Sequence, residues 1–579
     1  MWWHLAAGRM ILDGQFPITN TLSHTFPEYP WRFTQWLFGA LIALAENLGG
    51  FLAVQFIVCG FAAGTFLLVM TTIRRDVPQA KWFLVLPLVA IGVLSARSRF
   101  DPRGDLASLL GLAAVHYLWV IRPKRLPLCL FLTACVWSNL HSGVIFGVLG
   151  IALFGCAAIF ERDRESIRDA LSGGIAFFVG SLVNPFLHYN YLYILENFEI
   201  ARRFPFPIAE LQHPSWRNPA FAAFAVLVLL GLLPALVRRR HRDVLLIAGF
   251  GAMGLSAKRF VAYLAVLALP GVVKSFHDYR DWTAARYDVK FLSALLYAPI
   301  LATAFYIGFL EFRSNPAGLG ADLRKYPART SEFLLSKGFT GRMYNSFNQG
   351  GFLAWRLYPN QRVFIDGRGN AYPWDHFTKY AGFSPHSVAV DVLDTYNVDY
   401  AIVERNPGSA DGGPVFAALG WKLVHIEGAA YLFVRPGSPD AMRSRAEVFH
   451  TFFPWENQES LLRSARANPG AMHAELLRID PRSVLSDGDF NRLGFCAYSA
   501  GDPSLSLEFF SAGLSRHPAN ASLRLNLAFV LESSGRIEEA AKQYRQIVDK
   551  DTTSFPAKEA RRRLEAIGGT PLPRTGPAR

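Results

Sequence analysis

The feature that most limits what this chain can fold into is the recurrence of apolar segments through its first 310 residues. They lie at about 51–71, 82–96, 105–121, 126–140, 143–160, 171–187, 219–237, 243–256, 260–274 and 291–310. Each reaches or approaches the roughly 20 residues a helix needs to cross a bilayer. A chain in lipid must satisfy its backbone polar groups internally, so segments of this kind dictate helices. Charged residues make up 18% of the chain, below the roughly 25% usual for soluble domains. The apolar residues thin out after about residue 310, which reads as a membrane half followed by a soluble half. Trp36–Ala45 is apolar but short and is stopped by Glu46-Asn47, so an interfacial helix is expected there.

The formal charge of +14 raises the question of nucleic acid. In a chain with spanning segments, a basic excess marks loops kept in the cytoplasm. The expected partner is therefore the lipid bilayer, with no nucleic acid. Arg74-Arg75 with Lys81, Arg122 with Lys124-Arg125, and Arg238–Arg240 with Arg242 fall in alternate loops. Placing all three inside puts residues 1–49, 97–105, His141, 188–218, Lys258-Arg259 and everything after 311 outside. Four of the five cysteines lie in apolar runs, and the fifth is Cys496. Neither a disulfide within the soluble half nor a thiolate metal cluster is available, and no metal ligands are assigned.

The soluble half reads as two parts. Between 341 and 436, the runs MYNSF, RVFIDGR, YAIVER, WKLVHI and AAYLFVR are strand candidates within a small α/β domain. Residues 489–549 carry an internal repeat at a spacing of 34. Leu493 pairs with Leu527, Phe495 with Phe529, Gly501 with Gly535 and Phe510 with Tyr544. That period, with small and aromatic residues at fixed places, is the tetratricopeptide signature and implies a protein partner. Residues 456–488 are expected to add a degenerate third helical pair. The organisation expected is a first external loop with the interfacial helix (1–50), about ten spans (51–310), an external α/β domain (311–440), tetratricopeptide-like repeats (456–566) and a disordered tail (567–579). The fold class is mainly α: a polytopic helical membrane domain, a small α/β domain and a helical repeat module.

The external loops carry polar residues that plain spans do not need. RSRFDPRGD holds Arg97, Arg99 and Arg103 beside Asp101 and Asp105. SNLHSG holds Asn139 and His141, VNP holds Asn184, PIAEL holds Glu210, and SAKRF holds Lys258 and Arg259. Ionisable groups at a membrane boundary are functional candidates by default. Clustered arginines suit a phosphate through forked, charge-assisted hydrogen bonds. A nearby carboxylate can take a proton from a hydroxyl acceptor. Each group also has a plainer role: arginines anchor to headgroups, Asp101 and Asp105 neutralise Arg103, His141 caps a helix end, and Asn184-Pro185 terminates one.

WWHLAAGRMILDGQFPITNTLSHT, followed by PWRFTQWL, resembles the first external loop of a group of bacterial multi-spanning proteins described as GT-C-type, polyprenyl-phosphate-sugar-dependent glycosyltransferase-like. Many of these end in tetratricopeptide repeats. SNLHSG, VNP, the glutamate of IAEL, the KRF segment and GRMYNSFNQGGFLAWRLYPNQRVFIDGR resemble further blocks of the group, so the resemblance covers most of the chain. It implies a bacterial inner-membrane protein, with its C-terminal half outside, that moves a sugar from a polyprenyl-phosphate donor to an external acceptor. Arg99, Arg103, Lys258 and Arg259 are then the donor-phosphate residues. Glu210, Asp105 and Asp13 are the candidate catalytic carboxylates. His4, Asn139, His141 and Asn184 are the positioning residues. A divalent ion, Mg or Mn, is the cofactor the resemblance allows.

The chain departs from the group's pattern in its first loop. Met1 stands where the group carries acidic residues before Trp-Trp-His, Asn20 stands for an aspartate and Gln35 for a glutamate. The expectation is that a spanning helix, with the key acid, lies upstream of Met1. Two other function classes fit the same residues: an O-antigen polymerase or ligase using a diphosphate-linked donor, and a non-catalytic membrane scaffold recruiting partners through its repeats.

Overall fold

The computed structural model describes the chain except residues 204–209, 285–288, 315–317, 382–389, 406–411, 485 and 569–579. At 84, 201–203, 283–284, 289–297, 314, 381 and 390–391 it describes the backbone alone. The chain forms two compact units. Unit 1 comprises 1–21, 26–321 and 368–378, and unit 2 comprises 22–25, 322–367 and 379–579.

Unit 1 is helical. Its helices are α1 (Trp2–Leu12), α2 (Trp36–Asp76), α3 (Trp82–Ala96), α4 (Asp105–Ile121), α5 (Leu126–Leu140), α6 (Ile145–Glu161), α7 (Arg164–Ser181), α8 (Tyr189–Arg203), α9 (Pro219–Val237), α10 (His241–Ser256), α11 (Val261–Ala284) and α12 (Val289–Ser314). Trp2–Leu12, read from sequence as part of an external loop, is a helix. It packs closely on α2, because a Cβ on Gly8 would come within 2.1 Å of the Gly39 carbonyl oxygen. Small residues at helix contacts permit such close approach. Trp36–Ala45 is helical as expected, but Glu46-Asn47 does not end it. The break lies at Gly49-Gly50, where Gly50 takes φ +61°, a conformation open to a residue without Cβ. Glu46 is instead paired with Arg9 at 2.6 Å.

Among the described residues, four helices are long and apolar enough to cross a membrane: Trp36–Asp76, Ser142–Glu161, Pro219–Val237 and Lys258–Trp282. Asp105–Ile121 and Leu126–Leu140 are apolar but shorter. This is compatible with a membrane location and is a coarser result than the ten spans expected. The outer faces of these helices expose Phe56, Leu67, Ile159, Leu229 and Leu233. The span Lys258–Trp282 is the central post, with 94% of its apolar window buried. Around it Leu269, Val272 and Val273 pack with Val85, Leu88, Leu112 and Phe224 in one core.

Unit 2 contains a four-stranded sheet. The elements, in chain order, are α13 (Ala328–Ser336), β1 (Arg342–Asn345), α14 (Phe347–Leu357), α15 (Trp374–Ala381, begun in unit 1), α16 (Val390–Thr395), β2 (Val398–Glu404), α17 (Gly413–Ala418), β3 (Lys422–Ile426), β4 (Ala430–Val434) and α18 (Pro439–Arg443). The strand order is β1-β2-β4-β3, with β1 parallel to β2 and the other pairs antiparallel. Ala430–Val434 is buried throughout, as a central strand covered on both faces must be.

RVFIDGR is not a strand. Val363 makes one isolated bridge, to Ser23. Its neighbours are satisfied differently: the Asn345 side chain accepts from Phe364 N–H at 2.8 Å and donates to the Ile365 carbonyl at 2.8 Å. The Asn345 amide and residues 22–24 together take the place of a ladder: Val363 N–H donates to the Leu22 carbonyl and the Val363 carbonyl accepts from His24 N–H, both at 3.0 Å.

The helical repeats follow as α19 (Gln458–Ala467), α20 (Pro469–Leu476), α21 (Asp487–Ser499), α22 (Pro503–Arg516), α23 (Ala521–Ser533), α24 (Ile537–Val548) and α25 (Phe555–Gly568). The 34-residue spacing is visible in the backbone. Gly501 and Gly535 turn the chain between paired helices with φ +87° and +77°. Phe510 and Tyr544 are fully buried at equivalent places. The α25 helix runs to Gly568, and the tail beyond it lies outside the described residues.

Candidate functional site

The chemistry-bearing residues of unit 1 meet where several helices end. Arg99 lies in a single turn after α3, and Pro102 and Gly104 then break the chain before α4. Asp105 opens α4, where the helix dipole favours a carboxylate. His141 lies in extended conformation between α5 and the next turn. Lys258–Phe260 form a turn between α10 and α11. That turn is tied to the segment carrying Glu210: Arg259 N–H donates to the Glu210 carbonyl at 3.1 Å, and Lys258 N–H to the Gln212 carbonyl at 2.9 Å.

Two carboxylates face three guanidiniums here. Glu210 Oε2 accepts from Arg99 Nη1 and Arg103 Nη1, both at 2.8 Å. Asp105, 5% exposed, pairs with Arg99 through Oδ2 and stands 3.7 Å from Arg259 Nη2. Burial pushes the Glu210 carboxyl upward, but Arg99, Arg103 and Arg259 outweigh it and hold the group down at about 2. Glu210 is thus ionised and weakly basic. Three guanidiniums against two carboxylates give this group an excess positive charge, which leaves the cluster disposed toward an anion.

Behind Asp105 runs a chain of hydrogen bonds. Trp137 Nε1 donates to Ser108 Oγ at 3.0 Å, and Ser108 Oγ lies 2.6 Å from His141 Nδ1. Gly143 N–H also donates to Nδ1, at 3.0 Å, so Nδ1 is the acceptor nitrogen. The proton therefore sits on Nε2, 3.0 Å from Asp105 Oδ1. Burial, then Arg259 and Arg99, hold His141 down at about 3, so it is neutral.

The structure brings together Arg99, Arg103, Asp105, His141, Glu210 and Arg259, and places the other candidates differently. Lys258 Nζ reaches Gln212 Oε1 at 3.3 Å. Asn139 accepts from Trp36 Nε1 and donates to the Cys135 and Val183 carbonyls, each at 2.8 Å, joining α5 to α2 and to the segment just after α7. Asn184 donates to the Ser181 and Leu187 carbonyls and accepts from Phe186 N–H, which builds its own turn. His4 is buried, stacked on Trp3 with ring centroids 3.6 Å apart. Asp13 is exposed at the C-terminal cap of α1. Of the two amides in the first loop, Asn20 accepts from Arg368 at 2.7 Å, while Gln35 lies against Gly104 at the cluster's edge.

Sequence reasoning missed Ser108, Trp137 and Gly143. Ser108 lies three residues after Asp105 on α4, on the same face, which is the one signal that could have singled it out. Among the described residues no group of three or more His, Cys, Asp or Glu side chains is placed to hold a metal ion.

A tetratricopeptide-repeat family model matches residues 497–564, which run from the end of α21 into α25. Repeats of this kind generally mediate contacts between proteins, consistent with a protein partner. No curated protein matches the chain.

Proposed function

We propose that unit 1 is a membrane glycosyltransferase of the GT-C type, which moves a sugar from a polyprenyl-phosphate donor to an acceptor on the external face of a bacterial inner membrane. The observation that carries this reading is the pairing of a buried carboxylate, Asp105, with an arginine cluster of net positive charge at the ends of apolar helices. Arg103 and Arg259, the more exposed members, bind the donor phosphate as forked donors. Arg99 is buried at 6% exposure and holds both carboxylates in place.

In the reaction the acceptor hydroxyl oxygen attacks the anomeric carbon as the bond from that carbon to the phosphate oxygen breaks. The departing polyprenyl phosphate keeps the bonding electron pair, and its added charge falls on Arg103 and Arg259. Asp105 takes the hydroxyl proton, while neutral His141, fixed by Ser108 and Gly143, orients it. Glu210, held by Arg99 and Arg103, serves to space the arginines. Carboxylates so enclosed by guanidiniums do not suit a divalent cation, so no step is assigned to one.

The test is transfer from a radiolabelled polyprenyl-phosphate sugar by the purified full chain in lipid. Arg259→Gln and Glu210→Gln should each remove transfer while the protein stays folded. Retained transfer in both sinks the assignment. The repeat match favours a second reading, a scaffold whose unit 2 recruits a protein. Stoichiometric capture of one partner, unchanged when Asp105, Glu210 and Arg259 are all substituted and accompanied by no transfer, supports the scaffold.

A further inference from the structure

Helix α8 lies beside the arginine cluster and has no part in the chemistry assigned to it. It is 15 residues long, short of the roughly 20 that a crossing needs, and it is not among the four apolar spans. Its start is pinned to neighbouring helices. Asn190 donates to the Ser138 carbonyl at 2.8 Å, and the Tyr191 and Ser181 hydroxyls lie 2.5 Å apart.

The far end of α8 reaches the turn that carries Arg259. The Phe198 ring lies 6.3 Å from the Phe260 ring, at 30°. Phe260 is buried and backed by Phe146 at 5.7 Å and Tyr263 at 5.8 Å. The Arg259 guanidinium stands 5.7 Å from the same Phe260 ring. Burial pushes the Tyr193 phenol up, and the charge of Arg259 is among the influences that oppose the rise. The guanidinium is thus close to the inner face of α8 as well as to its end.

The free face of α8 is divided lengthwise. Leu192, Leu195 and Phe198 form one edge and are 43%, 60% and 48% exposed. Residues three apart share a helix face. Glu196 and Glu199 stand exposed on the other edge. An apolar edge beside an acidic one suits a helix at a boundary, with hydrocarbon on one side and water on the other.

The apolar edge runs into the phosphate residues. From Leu192 to Phe198 it covers about 9 Å, and Phe198 leads on to Phe260 and Arg259. A phosphate held by Arg103 and Arg259 brings its hydrocarbon chain with it, and that chain has to leave the cluster over some surface. Of the groups around Arg259, Glu210 and Lys258 are charged, whereas Phe260 and Phe198 offer an apolar surface that continues along α8.

We propose, on the reading of this cluster as the donor-phosphate site, that the edge formed by Leu192, Leu195 and Phe198 docks the first isoprene units of the donor's polyprenyl chain. Hydrocarbon laid there removes its own surface and that of three exposed side chains from water. Recognition is then divided: Arg103 and Arg259 hold the phosphate, and α8 holds the chain.

The test is native mass spectrometry of the full chain in neutral detergent, titrated with a long-chain polyprenyl phosphate, the matching polyprenol and phosphatidylglycerol. The double variant Leu195→Asn with Phe198→Asn should bind both polyprenyl compounds at least about tenfold more weakly than wild type. Its phosphatidylglycerol binding should be unchanged, and Leu195→Met with Phe198→Leu should restore the polyprenyl compounds. Arg259→Gln should weaken the polyprenyl phosphate and spare the polyprenol. Polyprenyl phosphate binding that depends on Arg259 but is unchanged in the double variant overturns the docking edge and leaves the donor reading standing. Phosphatidylglycerol weakened in step with the polyprenyl compounds means that the edge meets bulk lipid, which also overturns it. A wild-type chain with no preference for polyprenyl phosphate over phosphatidylglycerol removes the donor reading itself, and the docking edge with it.

Discussion

His141 Nε2 stands 3.0 Å from Asp105 Oδ1, while the backbone N–H of Gly143 points at the other ring nitrogen. The backbone therefore fixes the tautomer, and the histidine presents a donor to the carboxylate. Ser108 and Trp137 extend this line into the helices. In the proposed reaction Ser108→Ala leaves the Gly143 bond and lowers kcat modestly, whereas His141→Ala removes the donor and lowers it by about a hundredfold or more. Equal losses in both variants, measured as kcat at saturating donor, would contradict this division of labour.

The same histidine gives unit 1 a pH dependence. Its value is held at about 3, below the ordinary 6.5, first by burial and then by Arg259 and Arg99. The unfolded chain binds this proton more readily than the folded one. Stability is full above about 6.5 and falls as pH drops toward 3. Glu210 acts in the same direction at lower pH, with stability full above 4.5 and lost toward about 2. Thermal melts from pH 8 to pH 4 should show Tm falling in the wild type and falling less in His141→Phe.

Gly143 faces the same network. A Cβ there would stand 2.2 Å from Ser108 Oγ and 2.7 Å from His141 Nδ1. Overpacking of this kind typically costs about 1–3 kcal/mol. Gly143→Ala should lower both Tm and transfer. At Gly104 the nearest obstacle is the flexible end of Gln35, at 2.5 Å, and the His141 ring follows at 2.9 Å, farther off than its Nδ1 is from a Cβ on Gly143. Gly104→Ala should therefore be the milder variant, and the reverse order of Tm values would mean that the loop yields where the account holds it rigid.

Unit 2 carries an opposite pH signature. Glu427 is 4% exposed and accepts from Arg329 N–H, Thr330 N–H and Thr330 Oγ1, capping α13. Burial outweighs those bonds and pushes its carboxyl up to about 7. The folded chain holds the proton that the unfolded chain releases, so this group's contribution falls as pH rises from 4.5 to 7. Glu427→Gln keeps an acceptor and should flatten that fall, as read by limited proteolysis of unit 2 across pH 5 to 8. An unchanged slope would rule Glu427 out as its source.

In the repeats, Phe510 is fully buried, and a Cβ on Gly494 would lie 2.5 Å from its ring. Phe510→Ala should cost about 3–5 kcal/mol and release α21–α24 to protease while transfer by unit 1 persists. Protection equal to wild type would show that the 34-residue packing is not what holds this module.

Local order was the part that sequence could yield. The repeat was legible because Leu493 and Leu527, Phe510 and Tyr544, and the two turn glycines recur at one spacing. Four strand candidates carry strands, since β-branched and aromatic runs suit a buried sheet. RVFIDGR has the same composition and fails, because its partners are the Asn345 side chain and the segment around Ser23, far away in the chain. The site divides in the same way. Charged residues at helix ends announced themselves, but their meeting depends on how α3, α4, α5, α10 and α11 pack. Ser108 and Gly143 look like helix filler until that packing is known. Asn139 and Asn184 carried the same polar signal as His141, yet they are spent on helix joints and turns.

The most direct measurement is single-turnover transfer by Asp105→Asn in lipid, alongside the binding of the donor. The account predicts donor binding within a few-fold of wild type, because Arg103 and Arg259 remain, and transfer slowed by at least about a hundredfold. Transfer at the wild-type rate with Asp105 replaced would contradict it.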